Sequence, residues 1–248
     1  MSLRNLIYSV PSTPPSNFPT EFLVYNTNVT TPGNGGQCCL WTVPAGTTFI
    51  TFEMWGGGGG GAGGCCCMSG PPGSSGSYSV KTVCGGALAG CQYTICAGGT
   101  SLVSTTGSGC FGCTSYVTGQ GLSNFCAEGG SQGCSNCSWH FIYTCCIPWP
   151  ICRCAYGGDI NIHGVQSTFE SYVNCGAWFQ QHAMNAPATV SGPLIGMGGC
   201  NHGGINGGTS TQPAPTFPGG GGFTAQAFYG TCYCGWYGAG GLVSITYG

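Results

Sequence analysis

Cysteine is the residue through which this chain could most readily do chemistry. There are 21 in 248 residues, several of them vicinal, as in Cys38-Cys39, Cys65-Cys66-Cys67 and Cys145-Cys146. Cys110-Phe111-Gly112-Cys113 and Cys134-Ser135-Asn136-Cys137 are both CxxC pairs, and twenty residues lie between them. Thiolates from two such pairs could hold one tetrahedral zinc ion, a spacing close to that of a zinc ribbon. A chain this rich in Cys also produces CxxC by chance, and Cys152/Cys154 and Cys232/Cys234 keep a different spacing. Structural disulfides are therefore favoured over metal, with Cys110, Cys113, Cys134 and Cys137 as the metal candidates and no cofactor expected. Neighbouring cysteines cannot easily bridge each other, so each vicinal set should reach to different segments.

Other catalytic groups are sparse. His140, His163, His182 and His202 show neither HxxxH nor HExxH spacing. Asp159 is the sole Asp, and Glu21, Glu53, Glu128 and Glu170 are scattered, so neither a nucleophile–His–acid trio nor a carboxylate pair assembles from the sequence. Matches to GxGxxG carry no information where Gly is this common, and no GK[ST] follows them. The expectation is a protein that is not an enzyme. Aromatic rings are better supplied. A flat ring stacks on the apolar face of a sugar while Asn, Gln and backbone groups bond its hydroxyls, so Trp139, Tyr143, Trp149, Tyr156, Trp178, Tyr233 and Trp236 are the candidate receptor contacts. For each taken alone, a core or subunit-interface place is the favoured reading.

Charge narrows the partners. Three Lys and Arg and five Asp and Glu make up 3% of the chain, where about 25% is ordinary. Arg4, Lys81 and Arg153 are too few for the phosphate contacts that nucleic-acid affinity needs. No window approaches the ~20 apolar residues of a membrane span. The first residues, MSLRNLIYSVPSTPPSNFPT, lack a long apolar core and a cleavage site, so classical export is not expected. A near-neutral surface gives copies little mutual repulsion, which points to a component of an assembly, a homo-oligomer among them.

The elements that would position these residues are strands. In Thr48 to Trp55, Ile50, Phe52 and Met54 alternate with Thr51 and Glu53, the period of a half-buried strand. Similar short runs occur at Phe22 to Tyr25, Cys38 to Val43, Tyr78 to Val83, Gln92 to Cys96, Thr114 to Thr118, Gly158 to His163 and Leu242 to Tyr247. Pro44-Ala45-Gly46 reads as a tight turn between two of them. Their spacing predicts an antiparallel β-sandwich rather than βαβ units, with Leu242 to Tyr247 closing the sheet beside Thr48 to Trp55. Only Ser167 to Gln181 could be helical, against Gly176 and its β-branched residues. Residues 1–36, with five prolines and little periodicity, read as an extended arm or attachment segment, and 37–248 as a glycine-rich β domain.

Glycine dominates the rest, with 50 residues. The run Gly56 to Gly64 holds eight Gly and one Ala and follows directly on the strand ending at Trp55. It reads either as a solvated linker or as an extended threefold helix whose outward N–H and C=O groups pair with similar helices alongside. Gly198-Gly199, Gly203-Gly204, Gly207-Gly208, Gly219 to Gly222 and Gly238 to Gly241 offer distant partners, which favours packing. The predicted fold class is thus all-β: an antiparallel sandwich with long glycine-rich loops, some packed as polyglycine II helices, crosslinked by Cys.

The segments VPAGTTFITFEMWGGGGGGAGG, QYTICAGG, GSGCFGCTSYVTGQGLSNFCAEGGSQG, YGGDINIHG and GGLVSITYG, which span Val43 to Gly248, together resemble the glycine-rich domain of bacteriophage tail-fibre and tail-tip proteins. The resemblance implies a β core carrying glycine-rich loops in a virion, at a fibre end that touches the host. It implies other virion subunits and a host glycan or outer-membrane protein as partners, and an adhesive or a purely structural, decorative role. The abundance of Cys departs from that family's pattern.

Overall fold

Alternation along Phe49–Trp55 sets the architecture. Ile50, Phe52 and Met54 are wholly buried while Phe49, Thr51 and Glu53 are half-buried, so one face of the strand looks into a core and the other does not. The computed structural model describes residues 19–25, 35–61, 64–65, 73–85, 88–101, 109–133, 153–164, 169–170, 180–181, 201–202, 217–222, 232–233, 235 and 237–248. No helix occurs among them. In chain order the strands are β1 (Thr20–Tyr25), β2 (Gln37–Thr42), β3 (Phe49–Trp55), β4 (Gly64–Cys65), β5 (Tyr78–Cys84), β6 (Gln92–Ala97), β7 (Ser115–Gly119) and β8 (Cys126–Ala127). They continue as β9 (Ala155–Tyr156), β10 (Ile160–Ile162), β11 (Phe169–Glu170), β12 (Gln180–Gln181), β13 (Asn201–His202), β14 (Cys232–Tyr233) and β15 (Leu242–Tyr247).

Two five-stranded antiparallel sheets form the sandwich, in the orders β1-β15-β3-β5-β10 and β2-β6-β7-β8-β9. β15 lies against β3 with Ile245 opposite Phe52 and Tyr247 opposite Ile50, which places their apolar side chains on one face. From the other sheet come Trp41, Tyr93, Ile95, Val117 and Phe125. The rings of Phe52 and Tyr93 lie 5.1 Å apart and those of Trp41 and Tyr247 5.3 Å apart, distances at which tilted aromatic pairs attract. Thr20–Tyr25, within the stretch read from sequence as an arm, is an edge strand of the first sheet and buries Val24.

Pro44 to Thr47 form a turn in which the Thr47 N–H donates to the Pro44 carbonyl (3.4 Å) and Gly46 takes φ 85°. That is a type II turn, which needs Gly at this position. It joins strands of opposite sheets, so the chain crosses the sandwich here. One expectation is corrected. A helix across Ser167 to Gln181 would separate its ends, yet Phe169 pairs with Gln181 and Glu170 with Gln180 in an antiparallel ladder. Gly176 and the β-branched residues had weakened the helix from within.

Cys38 and Cys96 are joined by a disulfide across β2 and β6, so the vicinal Cys39 is left to point the other way, against the core.

Candidate interaction surfaces

A chain of glycines has no side chains to bury, so what orders it must be its backbone. Residues 56–61 leave β3 and are buried throughout. The Gly56 and Gly59 N–H groups donate to the carbonyls of Ser77 and Ser74, both at 2.9 Å. Those of Gly57 and Gly60 donate to Cys113 (2.9 Å) and Cys110 (2.8 Å), and that of Gly58 to Ala239 (2.8 Å). In return, Gly57 and Gly60 accept from Gly130 (2.7 Å) and Gly133 (2.8 Å), and Gly59 from Gly222 (2.8 Å). Three of these neighbours, 73–77, 109–113 and 128–133, are met at intervals of three residues, the repeat of an extended threefold helix.

The neighbours also bind one another around this axis. Gly73 and Gly76 donate to Gly222 and Gly219, Gly219 to Gly240, Gly241 to Gly98, Gly112 to Gly130, and Ser74 to Ser131. Six segments thus surround 56–61, the sixth being 98–101, whose Gly99 carbonyl abuts Gly57. Added Cβ atoms would lie 1.9 Å from the Gly220 oxygen at Gly58 and 2.0 Å from the Ser131 oxygen at Gly59. Small hydroxyls fill the remaining polar positions. Ser115 donates to the Trp55 carbonyl (2.6 Å) and accepts from the Gly98 N–H (2.9 Å), fastening the bundle to the sandwich.

The end of the bundle remote from the sandwich adjoins the undescribed segments. Gly61, Gly73, Gly109, Gly133 and Gly222 lie at that level, bonded to or abutting Gly59 and Gly60 or following them directly. They are the residues adjoining the undescribed segments 62–63, 66–72, 102–108, 134–152 and 223–231. Trp139, Tyr143 and Trp149 belong to 134–152. These three, with Trp178 and Trp236, lie outside the described residues, and of Tyr233 only the backbone is described, paired with Gly64.

Tyr156 is placed elsewhere, on the outer face of the second sheet. Cross-strand register there builds one row: Cys38 opposite Cys96, Cys96 opposite Tyr116, Tyr116 opposite Cys126 and Cys126 opposite Tyr156. Leu40, Thr94 and Thr118 form the next row. Tyr116, Tyr156 and Leu40 are exposed, and no charged residue stands in either row. Leu40 and Tyr116 were not picked out from sequence, although the alternation in Cys38 to Thr42 sets Leu40 on the face opposite the buried Trp41.

Beside this face, Glu128 accepts from the Cys154 N–H (3.1 Å). Burial, then Glu128, pushes the Cys126 thiol up. A hydrogen bond with the Cys154 side chain, and next its electrostatic interaction with that group, push the Tyr156 phenol up to about 12. Tyr156 is therefore an uncharged hydroxyl at any ordinary pH. The Arg153 guanidinium lies 4.2 Å over the Phe111 ring, and Lys81 pairs with Asp159 at 2.6 Å. That ammonium, with the Thr82 N–H (2.9 Å), holds the Asp159 carboxyl below its usual range.

Of the four metal candidates, Cys110 and Cys113 lie among the described residues. Cys110 and Cys113 sit on an extended segment, bonded to Gly60 and Gly57. At ~3.1 Å rise per residue their Cα atoms stand about 9 Å apart, beyond the ~7 Å limit of a disulfide, and both are free thiols. Cys134 and Cys137 lie outside the described residues. Among the described residues no group of three His, Cys, Asp or Glu could hold a metal ion. Neither a protein-family model nor a curated protein matches this chain.

Proposed function

We propose that the chain is a non-enzymatic virion protein of a bacteriophage tail fibre or fibre tip, which attaches to a glycan or outer-membrane protein of the host. One observation supports the reading: a backbone-bonded glycine bundle continues the strands of the sandwich, and its remote end holds the residues that adjoin segment 134–152 and four others. A bundle of this kind holds segment ends in fixed positions without a hydrophobic core, so their sequences can vary without altering the support. Segment 134–152 carries Trp139, Tyr143 and Trp149 and no Lys, Arg, Asp or Glu. It suits recognition by ring stacking and neutral hydrogen bonds rather than by charge. Among the described residues no helix is long and apolar enough to cross a membrane.

The test is binding of the whole purified protein to host cells, beside a variant in which 134–152 is replaced by a short Gly-Ser connector. Residues 128–133 must be spared because they are part of the bundle. Loss of binding with an unchanged thermal transition supports adhesion. Undiminished binding moves recognition away from that segment, and absence of the protein from purified particles overturns the reading. A second reading, a decoration or fibre-building subunit, is favoured by the uncharged exposed face bearing Leu40, Tyr116 and Tyr156. Hundreds of copies per particle without host binding would select it.

A further inference from the structure

Among the described residues the two sheets of the sandwich have four edge strands, β1, β10, β2 and β9. Each offers a row of backbone groups to any strand that comes alongside, and proteins blunt such edges with charge, proline or shortness. Three of the four are blunted. β1 follows Pro19 and carries Glu21, β9 is two residues long and β10 three. β2, Gln37–Thr42, runs for six residues with neither a charge nor a proline.

Its geometry is legible at one end. The Val43 N–H donates to the Cys91 carbonyl and the Val43 carbonyl accepts from the Gly90 N–H, both at 2.9 Å. Hydrogen-bonding direction alternates along an antiparallel strand, so Trp41, Cys39 and Gln37 turn their backbone groups toward β6. Cys38, Leu40 and Thr42 turn theirs outward. The Cα separation of 4.1 Å between Cys38 and Cys96 agrees, since narrow pairs are the ones without mutual backbone bonds. The disulfide also holds β2 against its own sheet, so the edge that no described strand pairs with is already in strand form.

From this geometry we infer that β2 pairs with β2 of a second copy, antiparallel, about a two-fold axis at Leu40. The outward residues are spaced symmetrically about that position. Leu40 of one copy then faces Leu40 of the other, and Cys38 faces Thr42 on either side. The outward N–H and C=O groups of the three residues then pair across the axis, the Cys38 carbonyl exchanging the Gln37 side-chain amide from which it now accepts (3.2 Å), and the β2-edged sheets of the two copies become one continuous sheet. Leu40 is 64% exposed, more than any other large apolar side chain among the described residues. Across the axis the two leucines meet on the same outer face, as directly opposed cross-strand pairs do. Nothing opposes the approach electrostatically, because the chain's formal net charge is only −2 and β2 has none. The pairing is independent of host binding and stands or falls apart from it.

Sedimentation equilibrium of the full chain, with exposed thiols alkylated to prevent chance crosslinks, tests this. The wild type should be a dimer, and Leu40→Lys should raise its dissociation constant on the order of tenfold or more, since like charges directly opposite repel. Thr118→Lys, two strands further in on the same face, should leave the dimer intact. Mixing Leu40→Lys with Leu40→Glu should restore a dimer containing one of each, which only facing positions allow. Unchanged far-ultraviolet dichroism shows that the variants fold. A monomeric wild type at every concentration, a dimer indifferent to Leu40→Lys, or no rescue on mixing overturns the inference.

Discussion

At Gly58 a single hydrogen atom stands where any other residue would place a methyl group, and the bundle depends on that difference. The absent Cβ would lie 1.9 Å from the Gly220 oxygen and 2.4 Å from its carbonyl carbon. Those are backbone atoms of a segment that itself accepts from the Ala239 N–H, so relief cannot come from turning a side chain. Overpacking a core costs ~1–3 kcal/mol, more where the neighbour cannot yield. Gly58→Ala should therefore destabilise by about 3 kcal/mol or more in urea unfolding. Gly35→Ala, where a Cβ meets nothing within 4 Å, should stay within about 0.5 kcal/mol of wild type. Equal effects at the two positions would mean the segments are not in contact. Single residues were also where the sequence said least. Cys110 and Cys113 share a spacing with zinc ligands, but spacing implies proximity only if the chain turns, and here the flanking glycines hold it extended.

Elements were more legible than residues. Wherever a strand was long enough to alternate, as in Phe49–Trp55 or Leu242–Tyr247, the sequence period located it to within a residue or two. Cys126–Ala127 and Ala155–Tyr156 are two residues each and have no period to read. Pairing was less legible than position. The turn at Pro44 to Thr47 announces a reversal but not that the strands it joins part into opposite sheets. The partner of β2 is β6, and the link Cys38–Cys96 closes a separation of 58 residues. In the loop-entropy account a closure of that length restricts the unfolded chain by about 4 kcal/mol. Cys38→Ser should thus lower stability by roughly 2–5 kcal/mol, with β2 the first strand to lose amide protection. A loss below ~1 kcal/mol would show that burial of Trp41 and Cys39, rather than the crosslink, holds that edge.

For the whole molecule the question is whether a stretch without side chains can be as firmly held as a hydrophobic sandwich. Its segments come from residues 56–61, 73–77, 98–101, 109–113, 128–133, 219–222 and 238–241, so no local part of the chain can form the bundle alone. Formation must wait until β3, β5, β6, β7 and β15 have brought their trailing or leading glycines to one end of the sandwich. Each backbone bond then adds only ~0.5–1.5 kcal/mol net, against a backbone entropy cost that is highest for Gly. The bundle is therefore stable as a unit or not at all. Amide exchange distinguishes these cases, because opening of a cooperative unit exposes all its amides together. The Gly56 to Gly60 amides should exchange within about tenfold of the β3 amides, since all five are donated to surrounding segments, three in number, and none can open without parting the bundle. A solvated linker of the same composition would exchange at the rate of an unfolded peptide. Exchange at that rate would leave the sandwich standing but remove the support from which segment 134–152 is proposed to meet the host.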